Sequence, residues 1–486
     1  MTATPPAATR PSAHRRPGPS QTPRVGRRSA SPAGRAREQL APRLAGTLYT
    51  AGNDGYDERR SGYNLLVEHR PAALVEAAGP SDVVATVEFA AEQGLAVGVL
   101  NTGHGASVAA DDTTVLVNTR RMRSLYVDPH TRTARIEAGV RWDRVIRECA
   151  LFGLAPPSGS SSAVGAVGYT LGGGLALLGR TFGYAADHVR SIDVVTAHGS
   201  LRRADPGQYP DLFWGLRGGK GNFGVVTSME LDLLPASRIY GGALSFRATD
   251  APKVLDAYRQ WAYQVPEEMS SSVALIRFPW DGAMPPELRG RFVVQVRIAY
   301  HGETVDGERI VRPLRTVAIP IQDSLRDMPF TESGSIHNDP TQPAALHERA
   351  AFLRRWDEDA LDELLDLTGP DSACPLRLVE LRHLGGALSR EPAVPNAVSG
   401  RDAAFQLYTA TTADDGYDGV LLDRMAPWST GTANLNFLGV ADADPARVRA
   451  AFGEETYRRL AMLKRSYDPA NMFRVNHNIP PGVPAR

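Results

Sequence analysis

Cysteine and long hydrophobic runs are scarce in this sequence. Only Cys149 and Cys374 occur among 486 residues, and neither lies near a second cysteine or a histidine at metal-ligand spacing. A disulfide framework and a metal site are therefore not expected. No stretch approaches the about 18 apolar residues of a membrane span, and the N-terminus lacks the apolar core of a signal peptide. We predict a cytoplasmic protein without membrane contact.

An excess of either charge is also missing. Lys+Arg and Asp+Glu number 54 each, which leaves no overall field to attract nucleic acid or an anionic membrane. The hydrophobic fraction of 42% and the charged fraction of 22% are ordinary for globular proteins. At roughly 100–200 residues per domain, the length predicts two or three folding units. Neither the length nor the composition indicates an oligomeric state.

The first 45 residues differ in composition from the rest. Residues 1–43 hold nine arginines, eight prolines and a single acidic residue, Glu38. Such a segment cannot bury enough apolar surface to offset the entropy of folding, so we predict a disordered tail over residues 1–45. It could be an arm for RNA or anionic lipid, or an extension without function. The scattered placement of the arginines favours the second reading.

From Arg70 onward, short apolar strands alternate with helices, which predicts an α+β architecture. The predicted strands are Ala72–Ala77, Leu95–Leu100, Thr114–Asn118, Arg132–Ala138, Val225–Leu234, Arg291–Tyr300, Arg377–Arg382 and Ala404–Thr411. The predicted helices are Pro80–Gln93, Arg141–Phe152, Ala345–Leu367 and Val448–Lys464. The shift to longer strands after Pro235 predicts a second domain.

One glycine-rich segment formally matches a dinucleotide fingerprint. Residues 219–224 read Gly-Lys-Gly-Asn-Phe-Gly, but they lead into a strand and not into a helix whose N-terminus could bind a pyrophosphate. The lysine is also not followed by the Ser or Thr of a P-loop. We interpret these glycines as a tight turn with close backbone packing.

Two other small-residue segments could bind phosphate. Residues 101–106 follow a predicted strand, and residues 158–174 form a long stretch of Ser, Gly and Ala. Loops of this composition can bring successive backbone N–H groups against a pyrophosphate. They could equally be flexible surface loops, although a structureless loop of this length is uncommon inside a compact domain unless it is functional.

Four motifs in this order resemble one known family. They are Thr-Gly-His-Gly at 102–105, the glycine-rich run at 164–174, Leu-Arg-Gly-Gly-Lys-Gly-Asn-Phe-Gly-Val-Val at 216–226 and Tyr-Asp-Pro-Ala-Asn-Met-Phe-Arg-x-Asn-x-Asn-Ile-Pro-Pro at 467–481. Together they are similar to the berberine bridge enzyme-like flavoproteins, which have the vanillyl-alcohol oxidase type of FAD-binding fold. The resemblance covers roughly residues 49 to 481.

The resemblance implies a domain plan and a FAD site. It implies a FAD-binding domain of two α/β subdomains over residues 46–236, a substrate domain with an antiparallel sheet over 237–440, and a C-terminal segment, 441–486, that returns to the first domain on a strand. His104 matches the histidine that bonds to the 8α-methyl carbon of the flavin. The implied cofactor-binding residues are Asn101, Thr102, Gly103, His104, Gly105, Ala106, Ser161, Val164, Gly165, Tyr169, Gly172, Gly173, Gly174, Val226, Asn476 and Asn478.

Three of these positions carry further implications. Many family members add a second flavin link from a cysteine at the position of Ser161, and a hydroxyl is too poor a nucleophile to replace that thiolate. A single histidyl link is therefore expected. Val164 stands where a valine accompanies reaction with O2 in the family. Tyr169 stands near the flavin N1–C2=O edge, where a donor would stabilise the reduced, anionic flavin.

The catalytic base does not carry over from the family. Related oxidases place tyrosines where this chain has Leu175 and Asn434. Besides Tyr169, the candidates are polar residues on the strands expected to cover the flavin, namely Glu380, His383 and Tyr408. For Glu380 an ion pair with Arg382 is the better-supported alternative, and for His383 and Tyr408 a structural role stays equally open.

These observations predict an oxidase that transfers a hydride from a small organic substrate to flavin N5, with O2 as acceptor and hydrogen peroxide as product. A secondary-metabolite alcohol, a sugar or an amine would all fit. A dehydrogenase that uses another electron acceptor is the first alternative. A flavin-free binding or scaffold protein, in which the glycine loops are relics, is the second.

Overall fold

Three β-sheets organise the protein. The computed structural model describes residues 1–4, 31–281, 288–413 and 415–483. Helices lie between or against the sheets, and two sheets are wholly antiparallel. This is the predicted α+β fold, which is thus confirmed.

The first sheet is mainly parallel. Its strands, in spatial order, are Thr47–Tyr49, Ala73–Glu76, Thr114–Asn118 and Ala96–Leu100. The connection between the second and fourth of these strands is the helix Pro80–Gln93, whose predicted bounds are confirmed. Pro80 suits the first helical position because its ring presets φ, and Gly94 ends the helix in the left-handed region with φ +66°.

The second sheet is antiparallel and follows the first along the chain. Its strands, in spatial order, are Leu125–Asp128, Thr133–Glu137, Val225–Asp232, Val189–Val195 and Leu201–Ala204. The helix Trp142–Ala150 packs beside it with Trp142, Val145 and Cys149 buried, positions that share one helix face. The first two sheets hold the two loops that the sequence singled out.

The large sheet is formed by the later part of the chain. Its strands, in spatial order, are Gln322–Asp323, Arg238–Arg247, Phe292–Tyr300, Met269–Arg277, Leu378–His383, Phe405–Thr411 and His347–Leu353, with Arg326–Pro329 paired beside Arg238–Arg247. Side chains alternate between its faces. Val379 and Leu381 join the apolar core under the helices, whereas Glu380 and Arg382 point to the opposite, polar face.

The remaining helices surround these sheets. They are Pro32–Arg35, Tyr56–Arg60, Ala166–Leu171, Gly179–Phe182, Pro210–Leu216, Ala251–Ala262, Thr304–Val317, Glu358–Thr368, Tyr417–Arg424, Pro445–Phe452 and Glu454–Tyr467. Over the described ranges, none has both the length and the hydropathy that a bilayer crossing needs.

The predicted disordered tail ends earlier than expected. Residues from Pro32 are helical, and Ala36 and Leu40 are buried in the core beside the first sheet. The prediction for residues 32–45 was therefore wrong, because two apolar side chains suffice to anchor an arginine-rich segment. Residues 5–30 of the predicted tail lie outside the described residues.

Three predicted elements were wrong in detail. The helix Ala345–Leu367 is a strand, His347–Leu353, followed by the helix Glu358–Thr368, whose N-cap Asp357 accepts a hydrogen bond from Ala360 N. The helix Val448–Lys464 is two helices, since Gly453 interrupts it with φ +72°. The loop 158–174 contains the short helix Ala166–Leu171.

Candidate active site

The structure brings the two small-residue loops together. Gly165 N donates to Thr102 Oγ1 over 3.4 Å, and Asn101 Nδ2 donates to Ala138 O over 2.9 Å. A Cβ at Gly165 would lie 2.5 Å from Asn101 Nδ2, so only glycine permits this approach. The segments 101–106 and 158–165 therefore form one continuous wall, as a shared ligand would require.

His104 lies on this wall in a defined orientation. Its ring stacks on Tyr63 with centroids 3.9 Å apart and planes 10° apart, and its Nδ1 lies 2.9 Å from Thr102 Oγ1. Gly103 precedes it with φ +76° and packs against Gly62, which turns the chain sharply before the imidazole. Burial lowers the pKa of His104 to about 4, so the ring is neutral near pH 7.

Tyr169 lies in the second loop, on the short helix Ala166–Leu171. Its ring packs edge-on against Trp142 at 5.6 Å, and its hydroxyl is buried without a hydrogen-bond partner. Burial raises the pKa of this phenol far above its ordinary value, so the hydroxyl is a neutral donor. Asn436 fixes the neighbouring backbone: it donates to Tyr169 O and accepts from Gly174 N, each over 2.9 Å.

The glycines at 172–174 are required by close packing. A Cβ at Gly172 would meet the amide of Asn436 and one at Gly173 would meet Val398. Gly173 and Gly174 also have positive φ values, +103° and +71°. These residues shape the loop around Tyr169 and leave no room for side chains.

The C-terminal segment returns to this region, although not as the predicted strand. Residues 474–483 form no regular element, and Asn476 Nδ2 donates to Gly221 O and Phe473 O, each over 3.3 Å. The turn at 219–224 is the tight, closely packed turn that the sequence indicated: Lys220 has φ +56°, and Cβ atoms at Gly219 and Gly224 would collide with backbone.

The remaining predicted cofactor residues differ in exposure. Gly105 is exposed, and Ala106, Ser161 and Val164 are half-buried beside His104 and Gly165. Val226 is buried in the core under the second sheet. Ser161 and Val164 are thus accessible to a ligand on the wall, whereas the buried Val226 is not.

Several buried polar atoms in these segments have no partner within the described chain. They are His104 Nε2, Ser107 Oγ, Ser158 Oγ, Tyr169 Oη, Asn476 Oδ1 and Asn478 Oδ1. Unsatisfied buried groups are uncommon in native proteins, and a cluster of them indicates a ligand that supplies the missing partners. A flavin with its amide-like edge and a ribityl diphosphate chain offers donors and acceptors of the required kinds, so these residues fit FAD.

Glu380 belongs to an ion-pair network on the polar face of the large sheet. Its Oε1 accepts from Arg297 Nη1 over 2.8 Å and from Ser272 Oγ over 2.7 Å, while its Oε2 accepts from Arg382 Nε over 2.8 Å. The two guanidinium groups hold the pKa of this buried carboxyl well below its ordinary value. The ion-pair alternative therefore describes Glu380, and a catalytic base there is contradicted.

His383 is likewise engaged elsewhere. Its Nε2 lies 3.0 Å from Arg180 Nη1, and since an arginine can only donate, Nε2 is the acceptor and Nδ1 carries the proton. Burial, followed by the charge of Arg180, lowers the pKa of His383 to about 3. An imidazole of that pKa is too weak a base to accept a substrate proton near pH 7, so the catalytic reading of His383 is also contradicted.

Tyr408 and Glu348 form the remaining acid–base pair. The Tyr408 hydroxyl donates to Glu348 Oε1, and both side chains lie on neighbouring strands of the large sheet. Burial raises the pKa of Glu348. The hydrogen bond from Tyr408 and the charge of Lys220 lower this pKa, but the effect of burial is larger. Burial also raises the pKa of Tyr408. This pair can take up and pass on a proton.

Sequence reasoning missed Glu348, Asp339 and Tyr63. Asp339 accepts from Ser160 Oγ over 2.6 Å and acts electrostatically on His104, Tyr408 and Glu348. Glu348 was hidden inside the predicted helix. The strand His347–Leu353 has three polar residues followed by four apolar ones, so no polar–apolar alternation in the sequence could have indicated that Glu348 lies on a strand.

Within the described ranges, no group of three or more His, Cys, Asp or Glu side chains is placed to hold a metal ion.

Known proteins resemble this chain in sequence. A family model described as FAD binding domain matches residues 71–205, and one described as berberine and berberine like matches residues 436–480. An uncharacterized FAD-linked oxidoreductase of Bacillus subtilis (strain 168), YgaK, is 25% identical over 459 residues, which cover 90% of this chain and 98% of that protein. The relative named (R)-6-hydroxynicotine oxidase, from Paenarthrobacter nicotinovorans, is 27% identical over 461 residues. These residues cover 90% of this chain and 97% of that protein.

A solved structure extends the likeness to the whole fold. Xylooligosaccharide oxidase from Myceliophthora thermophila C1, in complex with xylobiose, superposes with a TM-score of 0.78 over 92% of this chain and 100% of that one, at 22% sequence identity. The fold, the FAD-binding segments and the relatives together define an enzyme, a FAD-linked oxidoreductase. Within that class, the chain is similar to the berberine bridge enzyme-like flavoproteins, whose family model matches residues 436–480.

Proposed function

We propose that this protein is an oxidase that holds FAD through a single covalent bond from His104 and oxidises a small organic alcohol, sugar or amine with O2 as acceptor. The observation that carries the proposal is the unpartnered Nε2 of His104, buried where the two small-residue loops meet. A bound flavin would supply the hydride acceptor and the reaction with O2. The protein's own residues supply positioning and proton transfer.

The surroundings of His104 suit an attacking nucleophile. Thr102 Oγ1 already accepts from Gly165 N, and a second acceptor position remains for a proton on His104 Nδ1. With the proton on Nδ1, Nε2 keeps its lone pair. The lowered pKa of about 4 keeps that lone pair free at neutral pH, and stacking on Tyr63 holds the ring in place. Ser161 offers only a hydroxyl, which supports one link and not two.

The pair Tyr408–Glu348 handles the substrate proton in this proposal. As a hydride leaves the substrate carbon, the proton on the adjacent oxygen or nitrogen passes to Tyr408 Oη, whose own proton passes to Glu348 Oε1 along their hydrogen bond. Tyr169, a buried neutral donor, is positioned to stabilise developing negative charge. The substrate itself stays open between the classes named, since the relatives are named for a hydroxynicotine and for xylooligosaccharides.

Reoxidation kinetics test the oxidase assignment. The purified protein is photoreduced without oxygen and then mixed with air-saturated buffer, and the return of the yellow absorbance is followed. We expect rapid return for the wild type. A Val164→Leu variant, which narrows oxygen access beside Gly165, should slow it about tenfold, or ~1.4 kcal/mol in barrier. Slow return in the wild type, together with fast return on adding an artificial acceptor dye, would instead identify a dehydrogenase.

A further inference from the structure

A cavity separates the segment Leu175–Arg180 from the polar face of the large sheet. Eight polar residues contribute to its lining: Arg180, Ser270, Ser271, Ser272, Arg297, His337, Arg382 and His383. Arg382 acts electrostatically on both Tyr169 and Tyr408, so one side chain of the lining is within electrostatic reach of these two phenols. Across the strand pair, Arg382 lies opposite Gln406, whose buried amide atoms have no partner within the described residues.

Arg180 is a buried cation without a carboxylate. It is 6% exposed, and its guanidinium donates to the backbone oxygens of Met269, Leu384 and Pro266 and to His383 Nε2. No carboxylate in the described part of the chain lies within 4.0 Å of it. A buried guanidinium that contacts only neutral acceptors is costly to desolvate, and a bound anion would offset that cost.

Two neighbouring residues of the lining hold buried donors without a partner in the described chain. Because His383 Nε2 accepts from Arg180, its Nδ1 carries the proton, and this buried N–H has no partner in the described chain. Ser270 Oγ is also buried and unpartnered there. Unlike these two, the unpartnered Nδ1 of His337 accepts when the ring is neutral, because Nε2–H faces Glu380 Oε1 at 3.6 Å.

The charges around the cavity do not balance. Arg180, Arg297 and Arg382 contribute three positive charges, and among the described residues only Glu380 supplies a carboxylate within 4.0 Å of any of them. Both histidines are neutral, since burial lowers the pKa of each. The lining thus offers an excess of positive charge and unpartnered donors, which is the chemistry of an anion site.

We propose that this cavity binds a carboxylate group of the substrate and thereby orients the reacting carbon toward Tyr408. The inference rests on the proposed function, because it concerns the substrate of the same site. Arg180 is the specificity-determining residue in this arrangement, and Ser270 and His383 complete the donor set. The substrate class narrows to small organic acids that carry an oxidisable alcohol or amine.

Calorimetric titration of the holoenzyme at pH 8 with benzoate and with benzamide, which share a shape but not a charge, tests the proposal. We expect benzoate to bind about tenfold or more tightly than benzamide. Ser270→Ala should weaken benzoate about threefold and leave benzamide unchanged, whereas Arg180→Gln should remove the preference. Ser245→Ala, which alters a buried serine of the same sheet that does not line the cavity, should change neither affinity.

Equal affinity for the two probes, or equal behaviour of Ser270→Ala and Ser245→Ala, would overturn the proposal. Circular dichroism checks whether Arg180→Gln folds. If it does not fold, the benzoate affinities of Ser270→Ala and Ser245→Ala test the proposal. Flavin absorbance of the same samples separates the two claims. A yellow protein that does not prefer benzoate contradicts only this inference. A colourless protein contradicts the proposed function, but the affinities for benzoate and benzamide can still be measured.

Discussion

Two buried imidazoles of this protein have opposite surroundings. His477 accepts from Lys220 Nζ at Nδ1 and donates to Gly439 O from Nε2, each over 3.0 Å, so both of its nitrogens are used. His104 has one nitrogen beside Thr102 and the other without a partner. Both rings are neutral because burial lowers their pKa values. Of these two histidines, His104 is therefore the one with a lone pair available for bond formation.

The proton relay makes a prediction about pH. Burial raises the pKa of Glu348 above its ordinary value, so the carboxylate becomes protonated as the pH falls through that raised pKa and can no longer accept from Tyr408. We expect kcat/KM to rise with pH and then level off. Glu348→Gln should abolish the rise of kcat/KM with pH. It should also lower the constant value of kcat/KM at high pH by about 10²-fold or more, the usual contribution of a positioned acid–base group.

The matched control is Glu332→Gln, which changes a half-exposed glutamate paired with Arg326. Its pH profile should match that of the wild type. A Glu348→Gln enzyme that keeps both the rise of kcat/KM with pH and its constant value at high pH would show that another group accepts the proton.

At this scale the sequence was informative about His104 and poor about the base. The family resemblance singled out His104, whose link to the flavin stays a prediction; a lone histidine in a loop would not have indicated it. Glu348 and Glu380 look equivalent in sequence, and only the contacts separate them: two arginines neutralise Glu380, whereas a phenol faces Glu348. Such partners come from strands that are distant along the chain.

Among the elements, the helix Glu454–Tyr467 holds the C-terminal segment in place. Lys464 and Asp468 form a fully buried pair at 2.7 Å, and Lys464 Nζ also donates to Asn222 O over 2.7 Å and Phe473 O over 2.9 Å. Asp468 accepts from Met472 N and Phe473 N. The pair thereby joins the helix, the glycine turn at 219–224 and the segment that carries Asn476.

Replacing Lys464 should be costly for this reason. Lys464→Met leaves the Asp468 carboxylate buried without its cation, and we expect the free energy of unfolding to fall by about 3–5 kcal/mol. Lys253→Met is the control, because Lys253 is 54% exposed and its pair with Asp250 should contribute less than about 1 kcal/mol. Chemical denaturation measures both. Equal midpoints for the two variants would contradict this account of the C-terminal segment.

The elements also show where pattern reasoning fails. The helix Pro80–Gln93 has a proline start and a glycine end, and its bounds were predicted correctly. The strand His347–Leu353 was read as helix because it has no polar–apolar alternation and lies shortly before the true helix Glu358–Thr368. Sheet pairing with Phe405–Thr411, a long-range interaction, decides the outcome there.

For the whole molecule, the central claim is that the two small-residue loops and the C-terminal segment enclose one covalently held flavin. The loops beside the first two sheets carry His104 and Tyr169, and the large sheet carries Tyr408 and Glu348. A covalent link would keep the flavin on the protein after unfolding, whereas a flavin bound only by contacts would leave with the fold.

Acid precipitation of the purified protein tests this claim most directly. We predict a yellow pellet for the wild type and for His188→Ala, a control that removes a half-buried imidazole bonded to Phe182 O. His104→Ala should give a colourless pellet, with any flavin left in the supernatant. A colourless wild-type pellet, or equal flavin in the wild-type and His104→Ala pellets, would contradict the attachment of the cofactor at His104.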